Sequence, residues 1–171
     1  MDALKEYTIP IKGLGIGIHH FKFDLDKTFF SHFKESPIQD GDIQVDLELD
    51  KRPEMMILNF TTKGFFQTPC DRCLEEIPLP IGGIHQLVLK IAEVPGTEDD
   101  TIVYITQALT EFNVAKYVYE FVILSIPLVK VDEKDHVCDP EVMKFLEREQ
   151  EDEEEQSSNP IWDALKGFKD N

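Results

Sequence analysis

Asp42-Ile43-Gln44-Val45-Asp46-Leu47-Glu48-Leu49 alternates polar and aliphatic side chains without a break. A strand sends successive side chains to opposite faces, so Ile43, Val45, Leu47 and Leu49 share a buried face while Asp42, Gln44, Asp46 and Glu48 share a wet one. Asp50-Lys51-Arg52-Pro53 reads as a turn, and residues 55–66 return with strand-like composition, which predicts an antiparallel hairpin. Upstream, residues 7–12 and 16–24 read as two more strands across Gly13-Leu14-Gly15. A short helix is expected over 27–33, with Asp26 placed to cap it. Downstream, 84–92 and 101–105 read as strands. Ala115, Tyr119, Val122 and Ile126 recur at helical spacing, which predicts a buried helix over 113–125 that Pro127 stops. The expected fold class is α+β, with a mostly antiparallel β-sheet or partly open barrel in the first ~105 residues.

A chain of 171 residues with 42% hydrophobic content has room for one ordinary core and a tail. Its 34 acids against 17 bases leave a net charge of −17, which argues against a domain whose main work is gripping phosphates. The excess is unevenly placed: residues 132–155 hold 12 acids and 3 bases, ending in the run from Glu147 to Glu155. Like-charge blocks repel themselves and stay extended, so 141–158 is expected to be an acidic flexible linker, with 1–140 a single α+β domain. Glu151, Asp152, Glu153, Glu154 and Glu155 are candidates for contact with a basic partner. Beyond the linker, Asn159 is a plausible N-cap and Pro160 suits the first helical position. Ile161, Trp162, Leu165 and Phe168 then fall on one side of a short amphipathic helix over 159–171, a docking element for its own domain or for a partner.

MDALKEYTIPIKG lacks the basic and apolar regions of a signal peptide, and no apolar run approaches the ~20 residues of a membrane helix. Three cysteines in such a chain suggest reduced thiols and a cytoplasmic location. Gly13-x-Gly15-x-Gly17 has Ile18 where a dinucleotide fingerprint needs glycine. His19 and His20 would point to opposite faces of a strand and cannot jointly hold a metal there. Glu75-Glu76 reads as solvated surface. No catalytic constellation is visible, and an enzyme is not expected.

The informative motif is Cys70-Asp71-Arg72-Cys73. A C-x-x-C turn lets two thiolates face one ion or form a redox couple. The thioredoxin version opens a helix, which Pro78 and Pro80 forbid here. Zinc needs two further ligands, and His136-x-Cys138 offers them: on an extended segment i and i+2 share a face, so both could close a Cys3His tetrahedron. A tight turn with small buried thiols remains the competing structural reading.

Cys70-Asp71-Arg72-Cys73-Leu74 resembles the C-x-R-C-L signature of the YceD-like bacterial family. The family's acidic, apolar helical segment ending in Leu-x-x-Pro is matched by residues 119–127, with Glu120, Leu124 and Pro127. Its cysteine-bearing loop is matched at Cys138, and its Asn-Pro-…-Leu-Lys ending at Asn159, Pro160, Leu165 and Lys166. The elements run in order through roughly 60–170 and look closer to a Bacteroidetes-type member than to an enterobacterial one. The resemblance implies a non-enzymatic role in accumulation of large-subunit ribosomal RNA, through its synthesis, processing or stability during ribosome assembly. It assigns no catalytic residues. Some relatives carry several cysteines in the later loop, where this chain keeps only Cys138.

An acidic protein serves such a role by shielding a basic ribosomal protein, its acidic run competing with phosphate for Lys and Arg, or by docking on a precursor particle. RNA contact through a local basic face of Lys51, Arg52, Lys63 and Arg72 comes second; a membrane or small-molecule partner is not expected. The alternatives are a metal-stabilised adaptor unrelated to ribosomes and a thiol oxidoreductase.

Overall fold

The structure, a computed structural model, describes residues 4–92, 101–132 and 136–146. The acidic run 147–155 and the helix expected over 159–171, with Asn159, Pro160, Trp162, Leu165 and Lys166, lie outside the described residues. The chain divides into two compact units, Met1–Thr68 with Pro78–Val129, and Pro69–Ile77 with Lys130–Asn171.

The first unit is built on the alternating stretch. Gly41–Lys51 (β3) pairs antiparallel with Gly17–Leu25 (β2) on one side and Met55–Pro69 (β4) on the other. Ile43, Val45, Leu47 and Leu49 are buried to within 1% of full enclosure, as the period of two requires. Glu76–Ile91 (β5) lies beside β4, and Ile102–Ile105 (β6) runs parallel to its last residues, giving the order β2-β3-β4-β5-β6. Among the described residues this is a mixed sheet that does not close into a barrel. Pro78 and Pro80 sit inside β5, both exposed, in the portion upstream of the Val88–Ile91 stretch that β6 pairs with. That portion needs no second set of ladder donors, so proline is tolerated there.

Position 64 demands glycine. Gly64 has φ +150°, and a Cβ there would run into the Asp42 carbonyl oxygen and the Ile43 Cα across the ladder. The close backbone crossing of β3 and β4 depends on its having no side chain.

The strand expected over 7–12 is broken into 3-10 turns at Lys5–Tyr7 and Ile11–Gly13 flanking a two-residue strand, Thr8–Ile9 (β1). β1 pairs with Phe112–Asn113 (β7) rather than with the main sheet. Pro10 in the middle of the stretch removes a ladder donor, which limits how far the pairing extends. The helix expected over 27–33 is confined to Lys27–Phe30 (α1), and Asp26 caps it as expected, accepting from the Phe29 N–H at 3.1 Å.

The buried helix is Ala115–Leu124 (α2), two residues later at its start than expected because 112–113 is taken up by β7. Its Val118, Phe121 and Val122 are buried. Phe121 packs against Phe60 of β4 at 5.1 Å and stacks on His85 of β5 at 4.9 Å. Tyr119 stacks on Phe33 at 3.8 Å.

In the second unit, residues 140–146 form a helix (α3) where a flexible linker is expected from 141 onward. Asp139 caps it through Oδ1, which accepts from the Glu141 N–H at 2.8 Å, and Pro140 occupies the first turn.

Candidate metal centre

The connection from β4 to β5 is the turn Cys70-Asp71-Arg72-Cys73-Leu74. The Leu74 N–H donates to the Cys70 carbonyl at 2.9 Å and the Cys70 N–H donates to the Glu75 carbonyl at 2.8 Å, closing the loop from both ends. Leu74 takes the left-handed conformation, φ +62°, with its side chain 76% exposed. This is a strained choice for leucine, held by the two hydrogen bonds around it. The backbone amides of Cys73 and Arg72 are turned onto the Cys70 sulfur. Burial pushes the Cys70 thiol up, but those amides and the neighbouring thiols outweigh it, and the net direction is below the ordinary thiol range. A turn that aims N–H groups at a sulfur is built for a thiolate.

The other ligand pair reaches this turn from the second segment of the same unit. The Asp71 N–H donates to the Lys130 carbonyl at 2.9 Å, and the Lys130 N–H donates to Asp71 Oδ2 at 2.7 Å. Six residues further on, His136 places Nε2 at 3.0 Å from Cys73 Sγ, and Cys138 places Sγ at 3.9 Å from Cys70 Sγ. All four donor atoms lie within 4.8 Å of one another. Val137 between them is 89% exposed, consistent with an extended segment that turns i and i+2 inward.

The donor set fits zinc. Four ligands at Zn–S distances of about 2.3 Å around a tetrahedron put sulfurs about 3.8 Å apart, close to the Cys70–Cys138 separation. Three thiolates and an imidazole are soft or borderline donors, which suit zinc and not magnesium or calcium. Electrostatics agrees: burial, then the Cys73 and Cys70 thiols and their charge, push the Cys138 thiol up to about 11. Three adjacent sulfurs cannot all shed protons unaided, and a dication supplies the compensating charge. Glu75 Oε2 stands 3.6 Å from His136 Nε2 at the rim of the cluster.

No helix follows Cys73, whose next residues lead directly into β5. The helix N-terminus that depresses the nucleophile of thioredoxin-type sites is therefore missing. The one close Ser–His pair among the described residues, Ser125 and His85 at 2.9 Å, is a packing tie. Ser125 donates its hydroxyl proton to the Phe121 carbonyl at 2.7 Å, so the His85 ring N–H must be the donor to Ser125 and does not activate it.

The basic candidates are placed less favourably for a shared surface. Lys51 donates to the Ile11 and Leu14 carbonyls at 2.8 and 2.7 Å, and Arg52 pairs with Asp50 at 2.8 Å. Lys63 pairs with Asp46 at 2.9 Å and holds that carboxyl below its usual range. Lys51 shares strand parity with buried Leu49 while Lys63 lies opposite outward Gln44, so the two project to opposite faces of the sheet. Lys51 and Arg52 do border one groove of about 290 Å³ together with Lys12, Met56 and Leu109. Of the family-motif residues in α2 and after it, Glu120 lies 3.8 Å from Lys116 and Leu124 is 68% exposed; Pro127 follows the helix end.

Sequence reasoning missed three features of this unit: the Asp71–Lys130 contact, the left-handed Leu74, and the Asp139 cap. Only the last had a legible signal, Asp139-Pro140-Glu141.

Residues 58–169 match the family model described as large ribosomal RNA subunit accumulation protein YceD. No curated protein and no solved structure matches the chain. The matched span includes most of β4, the C-x-x-C turn, α2 and both residues of the second candidate pair, well over half of the sequence, and the chain therefore belongs to the YceD family of large ribosomal RNA subunit accumulation proteins.

Proposed function

We propose that this protein is a cytoplasmic, non-enzymatic assembly factor that supports the synthesis, processing or stability of large-subunit ribosomal RNA. In this reading Cys70, Cys73, His136 and Cys138 hold a structural zinc ion. Four protein ligands would close its coordination sphere, leaving no open position for a water or substrate. The zinc would supply a cross-link that fixes the 136–146 arm on the C-x-x-C turn. The observation that carries this reading is the convergence of the four donor atoms, in a chain of this family whose next residues are the acidic run.

Charge favours protein over RNA as the direct partner. Residues 69–77 and 130–171 carry 17 of the 34 acids against 7 of the 17 bases. A phosphate backbone is repelled by such a segment, whereas the Lys- and Arg-rich surface of a ribosomal protein is attracted to it. The metal-closed unit then serves as the rigid base from which the acidic run is presented.

The test is sedimentation of tagged protein from cells, probing large-subunit precursor fractions in low and high salt, with zinc content of the purified chain measured in parallel. Co-migration that disappears in salt, with one zinc per chain, is expected. Absence from all ribosomal fractions would make the protein an adaptor for another target; absence of metal would make the cysteine cluster a buried thiol turn.

A further inference from the structure

Asp71 sits between the two cysteines of the turn yet is not one of the four donor groups. Its contacts go to Lys130: the carboxylate accepts from the Lys130 N–H at 2.7 Å, the Asp71 N–H donates to the Lys130 carbonyl at 2.9 Å, and the ammonium stands 3.5 Å from Oδ1. The two short contacts are to backbone, and none of the three uses a ligand atom. Six residue steps lead from Lys130 to His136, a tether of at most about 21 Å when extended. A chain pinned at 130 on the turn itself thus carries its imidazole and third thiol on a short lead.

We propose that Asp71 is a positioning residue for the metal centre: it clasps the backbone of Lys130 and so holds the arm bearing His136 and Cys138 beside the C-x-x-C turn before any ion is bound. The inference rests on the zinc reading above. Its physical basis is effective concentration: a ligand pair held near its partners by a short tether binds the shared ion as an intramolecular event. A reciprocal pair of backbone-directed hydrogen bonds sets the position and direction of the chain at 130. An exposed ion pair alone contributes little and fixes no backbone direction.

The experiment titrates the reduced full-length chain with Co(II), reading the thiolate charge-transfer and tetrahedral bands, and measures zinc affinity by competition with a chromophoric chelator. Asp71→Ala is expected to weaken affinity by about tenfold or more, within the range for groups that orient ligands, while the tetrahedral spectrum keeps its shape. Asp71→Asn keeps an oxygen to accept from the Lys130 N–H and should stay within about threefold of the parent. Lys130→Ala keeps both backbone contacts and should do the same, since it removes only an exposed ion pair. This pattern separates a clasp from a charge effect, in which Asp71→Asn would fall as far as Asp71→Ala. Equal affinity of parent and Asp71→Ala overturns the proposal, as does an Asp71→Asn or Lys130→Ala variant that loses tenfold. Should Asp71→Ala fail to fold, the other two variants decide by the same limits. A parent chain without thiolate–Co(II) bands removes the zinc reading and this inference with it. A parent that binds while Asp71→Ala binds equally well removes this inference alone.

Discussion

Replacing Cys138 by serine tests the candidate metal centre at the ligand contributed by the later loop. Cys138 contributes through Sγ, 3.9 Å from Cys70 Sγ, and it lies on a partly exposed extended segment. The change from sulfur to oxygen therefore leaves little packing to disturb. A serine hydroxyl does not ionise near neutral pH, so the site loses one anionic ligand of three. Structural zinc sites bind with apparent free energies of about 10–16 kcal/mol near pH 7, or about 3 kcal/mol for each of four ligands. Losing one should raise the zinc Kd by about two orders of magnitude. At a fixed free zinc concentration above both constants, the stabilisation by metal falls by about 2.7 kcal/mol for a hundredfold loss. The assay is a thermal melt of parent and variant, each with and without a chelator, alongside the Co(II) titration. The parent should melt lower when chelated, and the variant should melt below the untreated parent and lose less when chelated. A Cys138→Ser chain with the parent's affinity and the parent's chelator response would refute the reasoning: the fourth ligand would then lie elsewhere.

Gly64→Ala should destabilise the first unit by about 3 kcal/mol or prevent folding, because the added Cβ meets backbone atoms of Asp42 and Ile43 in a conformation that L residues avoid. Gly15→Ala, with nothing within 4 Å of the new Cβ, is the control, and denaturant titration that ranks the two equally would count against the close crossing. Burial pushes the pKa of His85 down, so the unfolded chain takes up a proton at a higher pH than the folded one. The stability this affords is fully present above the unfolded value of about 6.5 and is lost as the pH falls through the folded one. His85→Gln should flatten that acid limb of the stability profile; identical slopes for parent and variant would exclude His85 as its source. Changing Glu151, Glu153, Glu154 and Glu155 to Gln and Asp152 to Asn should weaken salt-sensitive association with large-subunit precursors, and unchanged co-sedimentation would reduce the run to a spacer.

Local pattern was enough for much of the sheet. The alternation from Asp42 to Leu49 identified β3 and its buried face because a period of two is a property of the strand itself and needs no partner. Asp26 as a cap and Pro127 beyond a helix were legible for the same reason: capping and helix termination act over one turn. The pairing of Thr8–Ile9 with Phe112–Asn113 was not, since two residues carry no periodicity and their partner is a hundred positions away. Nor was the parallel β5–β6 pairing, which depends on how the chain crosses between them and not on the composition of either strand.

The candidate site divides along the same line. Residue types and spacing were sufficient to nominate Cys70, Cys73, His136 and Cys138, because metal ligation is a demand on chemistry and on separations of two or three residues. Whether two pairs 63 positions apart meet is a question of chain path, and the structure answers it with Nε2 3.0 Å from Cys73 Sγ. The contacts around the ligands were invisible beforehand: Asp71 is an ordinary acid in the sequence, and only the return of Lys130 to its side makes it a clasp. Lys51 and Lys63 make the converse point. Sequence grouped them as basic residues of one hairpin, and the register of β3 against β4 sent them to opposite faces. Sequence alone determined the local elements, the acidic character and the candidate ligand set, all set by neighbouring residues. The tertiary structure decided which distant groups come within bonding distance, because that depends on strand register, crossover and the packing of the whole chain.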